Sequence, residues 1–382
     1  MFVKKASCSE HSSTSIDWKV KNVGNSMKFR YLGPSGLRVS ELCLGTMTFG
    51  EEWGWGASKE ESRAIFDCYV ERGGNFIDTA NGYTNGTSEK IVGELIKSDR
   101  DRFVLATKYS FPMMRGDPNS GGNHRKCMVR SLDASLKRLG TDYVDLYWLH
   151  AWDFSTPVEE VMQGLDDLVR SGKVLYVGVS DTPAWIVSQA NTLAELRGWS
   201  PFIALQIEYS LIERTPERDL LPMARQFGLT VTPWGVLGSG LLTGKYNDAP
   251  PPSSKSSGMT GEKVQRRLDA MNSQKANDRN LEVARTVVEV ARQVGCSPSQ
   301  VALAWLRTRP GSIVPILGAR QLSQIRDNLS CLEVTLPEEQ LRRLSDVSRI
   351  DLGFPHDFYA DPARRDRLFG GVYSLMADHR GP

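Results

Sequence analysis

Four residues whose side chains can hold or move a proton occupy related positions in the sequence. Asp78, Lys108 and His150 each close an apolar run rich in strand-forming residues, and Tyr83 follows Asp78 by five residues. Because chemistry in parallel α/β proteins gathers at the carboxyl ends of the strands, this placement on three successive strands predicts one shared site. Together a carboxylate, an ammonium, an imidazole and a phenol can protonate and polarise an oxygen atom.

The expected electrostatics of this group favour proton transfer from Tyr83. At a separation of about 4 Å and an effective dielectric constant of about 20, Asp78 and Lys108 attract each other by about 4 kcal/mol, which keeps Lys108 protonated. A fixed ammonium beside a phenol stabilises the tyrosinate, so we expect the pKa of Tyr83 to fall from its reference value of about 10. His150 is placed to hydrogen-bond to the same substrate oxygen. Singly, each residue is more often a cap, an ion-pair partner or a core side chain.

Eight strand-like runs alternate with helix-length segments and set the positions of these residues. The runs centre on Leu42, Phe76, Leu105, Leu146, Val177, Leu205, Val231 and Val314. Ser58-Lys59-Glu60-Glu61 and Thr156-Pro157-Val158-Glu159 have the spacing of helix caps, and Ser297-Pro298 opens a further helix that runs to Arg309. Eight strands alternating with helices predict a (β/α)8 TIM barrel, since an open doubly wound sheet more often has about five or six strands.

The barrel is expected to form a single domain over residues 27–382. A hairpin-like segment, 28–39, precedes the first barrel strand, and residues 1–26 are expected to be a disordered extension. The connection between the seventh and eighth strands is long and rich in Pro and Ser, which predicts a flexible loop over 247–278, either a lid or a passive loop. The aromatic-rich tail, 353–382, is expected to fold back over one barrel mouth.

Charge and composition favour a small-molecule substrate over a macromolecular partner. The 47 basic and 45 acidic residues are scattered and give a net charge of +2, so no basic field indicates nucleic acid or a membrane surface. The six cysteines are widely spaced, without the spacing of a metal site, and predict reduced thiols. Without a signal peptide or an apolar run near the roughly 20 residues of a membrane span, we expect a soluble, cytoplasmic protein. The oligomeric state stays open.

An ordered series of short motifs carries a family resemblance. The series comprises Phe76-Ile77-Asp78-Thr79-Ala80, Gly82-Tyr83, Ser88-Glu89, Thr107-Lys108, Leu149-His150, Gly178-Val179-Ser180 and Gln206-Ile207-Glu208-Tyr209-Ser210-Leu211. In this order the motifs resemble the aldo-keto reductase family. Gly178-Val179-Ser180-Asp181-Thr182-Pro183-Ala184-Trp185 and the Leu352-Gly353-Phe354-Pro355 tail are similar to its aryl-alcohol dehydrogenase-like branch.

The resemblance implies a (β/α)8 barrel that binds NADP(H) in an extended pose and reversibly reduces the carbonyl of an aldehyde or ketone. By this similarity Tyr83 is the general acid, Lys108 and Asp78 tune it, and His150 orients the carbonyl. Hydride passes between C4 of the nicotinamide and the carbonyl carbon while Tyr83 protonates the oxygen. In the reverse direction the tyrosinate is the base.

The resemblance also implies residues for the nicotinamide end of the cofactor. Ser180 and Gln206 match positions that bond the carboxamide, and Trp234 matches the aromatic residue that stacks on the ring, although it could instead be a core tryptophan. Asp181 stands where the family more often has Asn. An ionised Asp accepts hydrogen bonds but cannot donate them, which puts its contact with the carboxamide oxygen in doubt.

Two further segments match the phosphate and adenosine ends. Glycines in a loop resembling the family's pyrophosphate loop let backbone N–H groups approach the anion, and the implied residues are Gly235, Leu237, Ser239, Gly240 and Leu241. The residues that match the adenosine end are Gly318, Arg320, Gln324 and Asn328. Arg320 could pair with a 2′-phosphate through charge-assisted hydrogen bonds, which favours NADP over NAD, or be an exposed residue without a ligand.

Substrate contacts are expected from the loops over the barrel mouth. Trp53, Trp55, Tyr109 and Trp152 are placed to form an aromatic pocket. Trp53 and Trp55 could equally pack on the surface. An aromatic wall favours aryl or other bulky apolar carbonyl compounds.

Two other functions are compatible with the same residues. A cofactor-binding regulatory subunit that resembles the β-subunits of potassium channels would share the barrel and the four residues but show little turnover. Nothing in the sequence marks a channel-docking surface. A Schiff-base aldolase with Lys108 as nucleophile would need a depressed lysine pKa, and Asp78 argues against that. The leading interpretation is an NADPH-dependent carbonyl reductase.

Overall fold

The computed structural model describes residues 27–247 and 275–376 and begins with a two-stranded antiparallel hairpin. Its strands are β1 (Phe29–Tyr31) and β2 (Arg38–Ser40). The hairpin that the sequence predicts before the first barrel strand is therefore confirmed.

Eight parallel strands follow and form a barrel. They are β3 (Cys43–Gly45), β4 (Phe76–Asp78), β5 (Val104–Tyr109), β6 (Val144–Leu149), β7 (Val174–Ser180), β8 (Phe202–Glu208), β9 (Thr230–Trp234) and β10 (Ile316–Gly318). Neighbouring strands pair in the order β10-β3-β4-β5-β6-β7-β8-β9. A parallel bridge between Val231 and Ile313 joins β9 to the segment that enters β10 and brings the two edges together. The predicted (β/α)8 architecture is confirmed.

Helices separate the strands and form the outer layer. They are α1 (Lys59–Glu71), α2 (Thr87–Ile96), α3 (Arg125–Leu139), α4 (Val158–Arg170), α5 (Ala184–Arg197), α6 (Leu220–Gln226), α7 (Asp278–Val294), α8 (Pro298–Arg307), α9 (Leu322–Leu329), α10 (Glu338–Val347), α11 (His356–Ala360) and α12 (Pro362–Leu368). A large apolar cluster lies between strands and helices, and a smaller one fills the barrel interior. Alternate residues of each strand supply the two clusters, because successive strand side chains point to opposite faces.

The amino end of the barrel is sealed by the hairpin. Leu32, in the turn between β1 and β2, is fully buried and belongs to the interior cluster with Phe76 and Trp148. Gly33 follows with a positive φ of 58°, and a Cβ there would lie 2.0 Å from the carbonyl oxygen of Ile203. Only glycine fits this close approach, so the seal depends on that residue.

The local sequence explains two of the three predicted helix starts. The Ser58 side chain accepts a hydrogen bond from the Glu61 amide, and Ser297 forms a complete capping box with Gln300. The cap predicted at Thr156 is wrong. Helix α4 begins at Val158 after Pro157, because the Thr156 hydroxyl and amide are bonded to Asp153 instead.

Several predicted segments fall partly or wholly outside the described residues. These include residues 1–26, most of the loop 247–278 and the last residues of the tail. In the described part of the tail, the side chain of Phe354 is 85% exposed. The aromatic rings of the tail contact one another, and the pair Phe354 and Phe358 is one example. The position of the tail over the barrel mouth stays a prediction. Across residues 27–247 and 275–376, no helix has both the length and the apolar character needed to cross a membrane.

Candidate active site

A cavity of about 490 Å³ opens at the carboxyl ends of the barrel strands. Asp78, Tyr83 and His150 line it, and Lys108 contacts two of them from a fully buried position. The structure thus brings together the four residues that the sequence predicts as one site. Their catalytic roles stay predictions.

Strand register explains why Asp78 and Lys108 meet. Asp78 lies opposite Ala106 on the neighbouring strand, and Lys108 is two residues further along that strand. Side chains two residues apart in a strand share a face, so Lys108 points into the barrel as Ala106 does. The carboxylate and the ammonium therefore converge inside the barrel at its carboxyl end.

The ammonium of Lys108 uses all three of its N–H groups. Nζ donates to Asp78 Oδ2 at 2.5 Å, to the carbonyl oxygen of Thr79 at 2.8 Å and to Tyr83 Oη at 3.1 Å. The second oxygen of Asp78 accepts from Gln206 Nε2 at 3.0 Å. Because an ammonium has three donors and no acceptor, these contacts fix its orientation.

Lys108 remains charged although it is buried. Burial lowers the pKa of Lys108, but Asp78 and Tyr83 act in the opposite direction and together outweigh it, so the pKa is raised. The structure agrees with the protonated lysine expected from the sequence. A buried charge of this kind persists only because it is paired and hydrogen-bonded.

The expected fall in the pKa of Tyr83 is wrong. Withdrawal of the phenol from water raises its pKa, and the Lys108 ammonium lowers it by a smaller amount. The sequence identifies the ammonium but not the extent of desolvation. Tyr83 therefore carries its proton at neutral pH, and Lys108 offsets part of the penalty for losing it.

His150 forms a second polar group at the cavity wall. Its ring meets Tyr83 edge-on with centroids 6.0 Å apart and Phe111 at 4.6 Å. Burial, and to a smaller extent Lys108, holds the pKa of His150 well below its usual value. The imidazole is neutral at pH 7, so it can donate one N–H and keep that proton.

The predicted nicotinamide residues lie along one side of the cavity. Ser180, Asp181, Gln206 and Trp234 all line it, at the carboxyl ends of β7, β8 and β9. Ser180 Oγ is buried and has no hydrogen-bond partner among the described residues. A buried unpaired hydroxyl facing a cavity suits a polar ligand group such as a carboxamide.

Asp181 has an unusual environment for a carboxylate. Its backbone lies in the left-handed region with a φ of 39°, and its Oδ1 accepts from Trp234 Nε1 at 3.1 Å. The residue is exposed at the rim of the cavity, yet the concave surroundings withdraw its carboxyl group from water and raise its pKa to about 6. The hydrogen bond from Trp234 lowers this pKa, and the charge of Glu208 raises it. A protonated Asp181 can donate a hydrogen bond, which the ionised form cannot.

The predicted pyrophosphate loop has the backbone expected of an anion-binding turn. Gly235, Gly238, Ser239 and Gly240 all have positive φ values, between 55° and 92°. Gly235, Leu237, Ser239 and Gly240 line the cavity, whereas the side chain of Leu241 is fully buried in the core and only its backbone is available. Successive left-handed residues direct N–H groups into a concavity that suits an anion.

Lys245 is a residue of this loop that the sequence reading missed. It lines the cavity, and its Nζ lies 2.9 Å from the position of a Cβ built on Gly240. A lysine five residues after Gly240 in the same glycine-rich loop was the available signal. It adds a positive charge beside the turn, as an anion site requires.

The predicted adenosine residues lie at the far end of the cavity. Gly318, Arg320, Gln324 and Asn328 line it, and the Arg320 amide donates to Gln324 Oε1 at 2.9 Å. Arg320 Nη1 lies 3.4 Å from the carbonyl oxygen of Trp55. Arg320 also borders a shallow depression at the start of α9. The guanidinium therefore stands at an open end of the cavity.

The aromatic wall differs from the predicted one. Trp53 meets Tyr83 edge-on with centroids 6.5 Å apart and lies 5.5 Å from Trp55, but neither tryptophan is among the residues that line the cavity. Tyr109 is fully buried and stacks on Tyr147. The prediction that Tyr109 lines the pocket is wrong. Tyr109 follows the inward-facing Lys108, so its side chain points to the opposite face of the strand.

Three other residues differ from the predicted wall. Trp152 packs against the main core and is not among the residues that line the cavity. Phe111 and Met47 do line it and were not predicted. Phe111 follows two residues after Tyr109, in the loop beyond β5, and that position was the signal that could have found it.

The arrangement fits an extended dinucleotide with a carboxamide at one end. An unpaired hydroxyl, residues of a left-handed glycine-rich turn and an arginine all line the same cavity. These groups match a carboxamide, a pyrophosphate and a phosphate in that order. Tyr83, Lys108 and His150 surround the carboxamide end, where a reacting oxygen would be protonated.

The comparisons with known proteins agree with this geometry. A model of the Aldo/keto reductase family matches residues 41–349. The chain is 41% identical over 370 residues to norsolorinic acid reductase B of Dothistroma septosporum, covering 93% of this chain and 89% of that protein. It is 38% identical over 350 residues to an aryl-alcohol dehydrogenase (NADP+) of Phanerodontia chrysosporium, covering 87% and 89% respectively.

Proposed function

This chain belongs to the Aldo/keto reductase family, and we propose that it is an NADPH-dependent reductase of aldehydes or ketones. The reaction is a reversible hydride transfer between the nicotinamide and the carbonyl carbon. Tyr83 is the general acid for reduction and, as tyrosinate, the general base for oxidation.

The environment of the Lys108 ammonium carries this proposal. Its three N–H groups meet Asp78, the Thr79 carbonyl and the Tyr83 phenol, and the phenol faces the cavity. Asp78 keeps Lys108 charged, so a positive charge stands beside the oxygen that becomes negative when Tyr83 gives up its proton. Such fixed charges stabilise a developing anion without reorganisation during the reaction.

The protonation states support the proposed roles. Tyr83 holds its proton because its pKa is raised, and Lys108 lies close enough to stabilise the tyrosinate that forms. Neutral His150 can donate a hydrogen bond to the same substrate oxygen, which orients and polarises the carbonyl. The oxygen therefore receives its proton from one side chain and its orientation from another.

The residues along the cavity would hold the cofactor. Bound NADP(H) supplies the hydride from C4 of the nicotinamide. Ser180, Asp181 and Gln206 would hold the carboxamide, with Trp234 against the ring. The pyrophosphate would lie on the glycine-rich loop at Gly235, Leu237, Ser239, Gly240 and the backbone of Leu241, and the adenosine at Gly318, Arg320, Gln324 and Asn328.

Arg320 supports a preference for NADPH over NADH. Its guanidinium stands at the open end of the cavity, where a charged phosphate group would remain partly hydrated. A guanidinium can form two parallel hydrogen bonds to phosphate oxygens, which a ribose hydroxyl cannot match.

Aromatic side chains beside the reacting groups support an aryl or bulky apolar carbonyl substrate. Phe111 lines the cavity and contacts His150, and Trp53, which does not line it, contacts Tyr83; these are the two groups that would contact the substrate oxygen. Flat aromatic surfaces favour flat apolar ligands. The name of the relative from Phanerodontia chrysosporium, an aryl-alcohol dehydrogenase, is compatible with this substrate class.

The two alternatives find less support. The relatives compared above carry reductase or dehydrogenase names, which does not favour a regulatory subunit with little turnover. The Schiff-base alternative needs a lysine that is neutral at working pH. The raised pKa of Lys108 and its bond to Asp78 oppose that requirement.

Steady-state oxidation of NADPH tests the proposal. A panel of aryl, alicyclic and short aliphatic aldehydes and ketones is assayed with NADPH and with NADH, and we expect turnover to be fastest with NADPH and the aryl aldehydes. Tight NADPH binding without steady-state oxidation by any member of the panel would favour the regulatory-subunit alternative. Trapping of a substrate on Lys108 by borohydride would favour the Schiff-base alternative.

A further inference from the structure

A buried network of hydroxyl groups joins the carboxyl ends of β3 and β4. Thr46, Thr79 and Ser88 are each fully buried. Ser88 Oγ lies 2.7 Å from the carbonyl oxygen of Thr46, 2.9 Å from Thr46 Oγ1 and 2.9 Å from Thr79 Oγ1. Ser88, in the first turn of α2, therefore ties together the two strand ends next to Asp78.

A count of protons sets the direction of these bonds. The carbonyl of Thr46 can only accept, so Ser88 donates to it at 2.7 Å. The hydroxyl of Thr46 donates to the carbonyl oxygen of Asp78 at 3.0 Å. Each hydroxyl has one proton, so the 2.9 Å contact between Thr46 Oγ1 and Ser88 Oγ has no proton of its own, and the bond between Thr79 and Ser88 runs from Thr79 Oγ1 to Ser88 Oγ. All three protons are committed, and the hydroxyl of Ser88 is the acceptor on which Thr79 depends.

Ser88 also supports the turn that carries Tyr83. Its backbone N–H donates to Thr84 Oγ1 at 3.0 Å, and Thr84 Oγ1 donates to the carbonyl oxygen of Phe49 at 2.6 Å. Thr84 directly follows Tyr83 and has a φ of 45°, in the left-handed region. A threonine in that region is strained by about 1–3 kcal/mol and persists only where its surroundings hold it.

The hydroxyl of Ser88 is linked to the reacting groups through Thr79, and its backbone N–H is linked to them through Thr84. Ser88 itself does not contact them. The carbonyl oxygen of Thr79 accepts a hydrogen bond from Lys108 Nζ at 2.8 Å. It is one of the three acceptors that orient the ammonium. Thr84 fixes the backbone next to Tyr83. A shift of either residue would change the 3.1 Å contact between Lys108 Nζ and Tyr83 Oη.

We propose that Ser88 is a positioning residue that holds Lys108 and Tyr83 at the distance needed for proton transfer. The inference depends on the proposed function, since it assigns Ser88 to the geometry of that reaction. Ser88 contacts neither the substrate nor the cofactor cavity. Its hydroxyl acts through Thr79, whereas its backbone N–H, which Ser88→Ala keeps, supports Thr84.

Ser40 provides a matched control at the other end of the same strands. It is also fully buried, and its Oγ lies 2.8 Å from the carbonyl oxygen of Leu42, 2.8 Å from Tyr69 Oη and 3.2 Å from the amide nitrogen of Asn75. Leu42 and Asn75 directly precede β3 and β4. Both serines thus join the same two strands, but only Ser88 does so beside the ionisable residues.

The test compares Ser88→Ala with Ser40→Ala. We expect both to lower the Tm, because each leaves buried polar groups without partners. In NADPH-dependent aldehyde reduction we expect kcat to fall by about tenfold or more in Ser88→Ala only, with KM and the Kd for NADPH within about threefold of wild type. In alcohol oxidation, the pH of half-maximal kcat should rise in Ser88→Ala, since a more distant ammonium stabilises tyrosinate less.

The outcomes separate this inference from the proposed function. Equal kcat values and equal pH profiles for Ser88→Ala and Ser40→Ala would overturn the positioning role. If Ser88→Ala does not fold, Thr79→Val is used instead, because it removes the hydroxyl that donates to Ser88 Oγ. This variant should reproduce the upward shift in the pH of half-maximal kcat. An unshifted pH profile would count against the inference.

A result without turnover still tests Ser88. If wild type shows no turnover with any carbonyl, the proposed function fails. The ultraviolet titration of tyrosinate in the ligand-free protein, taken as the difference from Tyr83→Phe, then decides. A higher Tyr83 pKa in Ser88→Ala supports the inference, and an unchanged one rejects it.

Discussion

Tyr69 and Tyr83 lie at opposite ends of strand β4, and both phenols are withdrawn from water. Tyr69, at the amino end, bonds to the carbonyl oxygens of Leu42 and Phe76 and to the Phe76 amide. Burial raises its pKa far above the usual range, and no ammonium is among its described hydrogen-bond partners. Tyr83, at the carboxyl end, is bonded to Lys108, which opposes the effect of burial.

The ion pairs at the two ends differ in the same way. At the amino end, Arg100 bonds to Asp145 at 2.7 Å, and Asp145 also accepts from the Leu105 amide, so both groups fasten strands and loops. At the carboxyl end, Asp78 and Lys108 make a more deeply buried pair whose third partner, Tyr83, faces a cavity. Buried polar networks stabilise both ends. Chemistry becomes available only where one member of the network reaches a ligand.

The largest expected effect comes from removing each phenol in turn. Tyr83→Phe should lower NADPH-dependent carbonyl reduction by about a thousandfold or more, because a general acid contributes about 10²–10⁴-fold. Tyr69→Phe should keep kcat near wild type but lower the free energy of unfolding by about 1–3 kcal/mol, since buried partners lose their bonds. Steady-state kinetics and chemical denaturation measure the two effects. Similar kcat values for Tyr83→Phe and Tyr69→Phe would contradict the assignment of catalysis to the carboxyl end and of stability to the amino end.

The next effect comes from the two ion pairs. Lys108→Met should lower kcat by about a hundredfold, because the tyrosinate loses its stabilising charge, and should destabilise the fold by about 3–5 kcal/mol as Asp78 is left unpaired. Arg100→Met should destabilise the fold to a similar degree, while kcat per folded molecule stays within about twofold. Kinetics at a temperature where both variants are folded provide the check. A hundredfold loss in Arg100→Met would contradict the comparison.

A smaller effect is expected at the cofactor end of the cavity. Arg320→Ala should weaken NADPH binding by about 10–100-fold and NADH binding by much less, because charged hydrogen bonds contribute about 1.5–3 kcal/mol. Fluorescence titration with both cofactors measures the two dissociation constants. Gln321→Ala, at the neighbouring residue, serves as the control. Equal losses for NADPH and NADH would refute the contact with the 2′-phosphate.

The smallest expected effect is a change in the pH dependence of stability. Withdrawal of its carboxyl group from water raises the pKa of Asp181 to about 6, above the reference of about 3.9 for an unfolded chain. Between these values the folded state binds more protons, so this group's contribution to stability is present at low pH and is lost as pH rises through about 6. Asp181→Asn should remove that part of the slope when denaturation is followed from pH 4 to 7.

Asp153 is the control with the opposite sign. Although burial acts against it, hydrogen bonds from Thr156, Ser155 and Asn123 lower its pKa to about 2. Its contribution is present above the unfolded pKa and is lost as pH falls toward 2. Asp153→Asn should therefore flatten the curve below pH 4. A slope between pH 4 and 7 in Asp181→Asn that equals the wild-type slope would show that the pKa of Asp181 is not raised.

Short-range patterns made much of the fold and the site predictable. Eight strand-like runs predict the barrel, and Asp78, Lys108 and His150 could be placed together because each stands at a strand end. One wrong assignment runs against such a short-range rule. The sequence prediction puts Tyr109 in the cavity wall, although the inward direction of Lys108 forces Tyr109 outward.

The pKa of Tyr83 and the start of α4 depend instead on groups that the motif itself does not contain. Desolvation of Tyr83 depends on how the surrounding loops pack, which no local motif encodes. Thr156 has capping-box spacing, but Asp153 competes for its amide and hydroxyl. Likewise the hydroxyl network around Ser88 joins residues from three segments, and only the folded chain brings them together.

Transfer of an isotope tests the central claim most directly. Wild-type protein is given NADPH labelled with deuterium at C4 of the nicotinamide, in either configuration, together with an aryl aldehyde in ordinary water. The account predicts that one of the two labelled cofactors yields an alcohol with deuterium on the carbinol carbon, and that Tyr83→Phe yields almost no alcohol. An alcohol without deuterium from both labelled cofactors would contradict direct hydride transfer at the carboxyl end of the barrel.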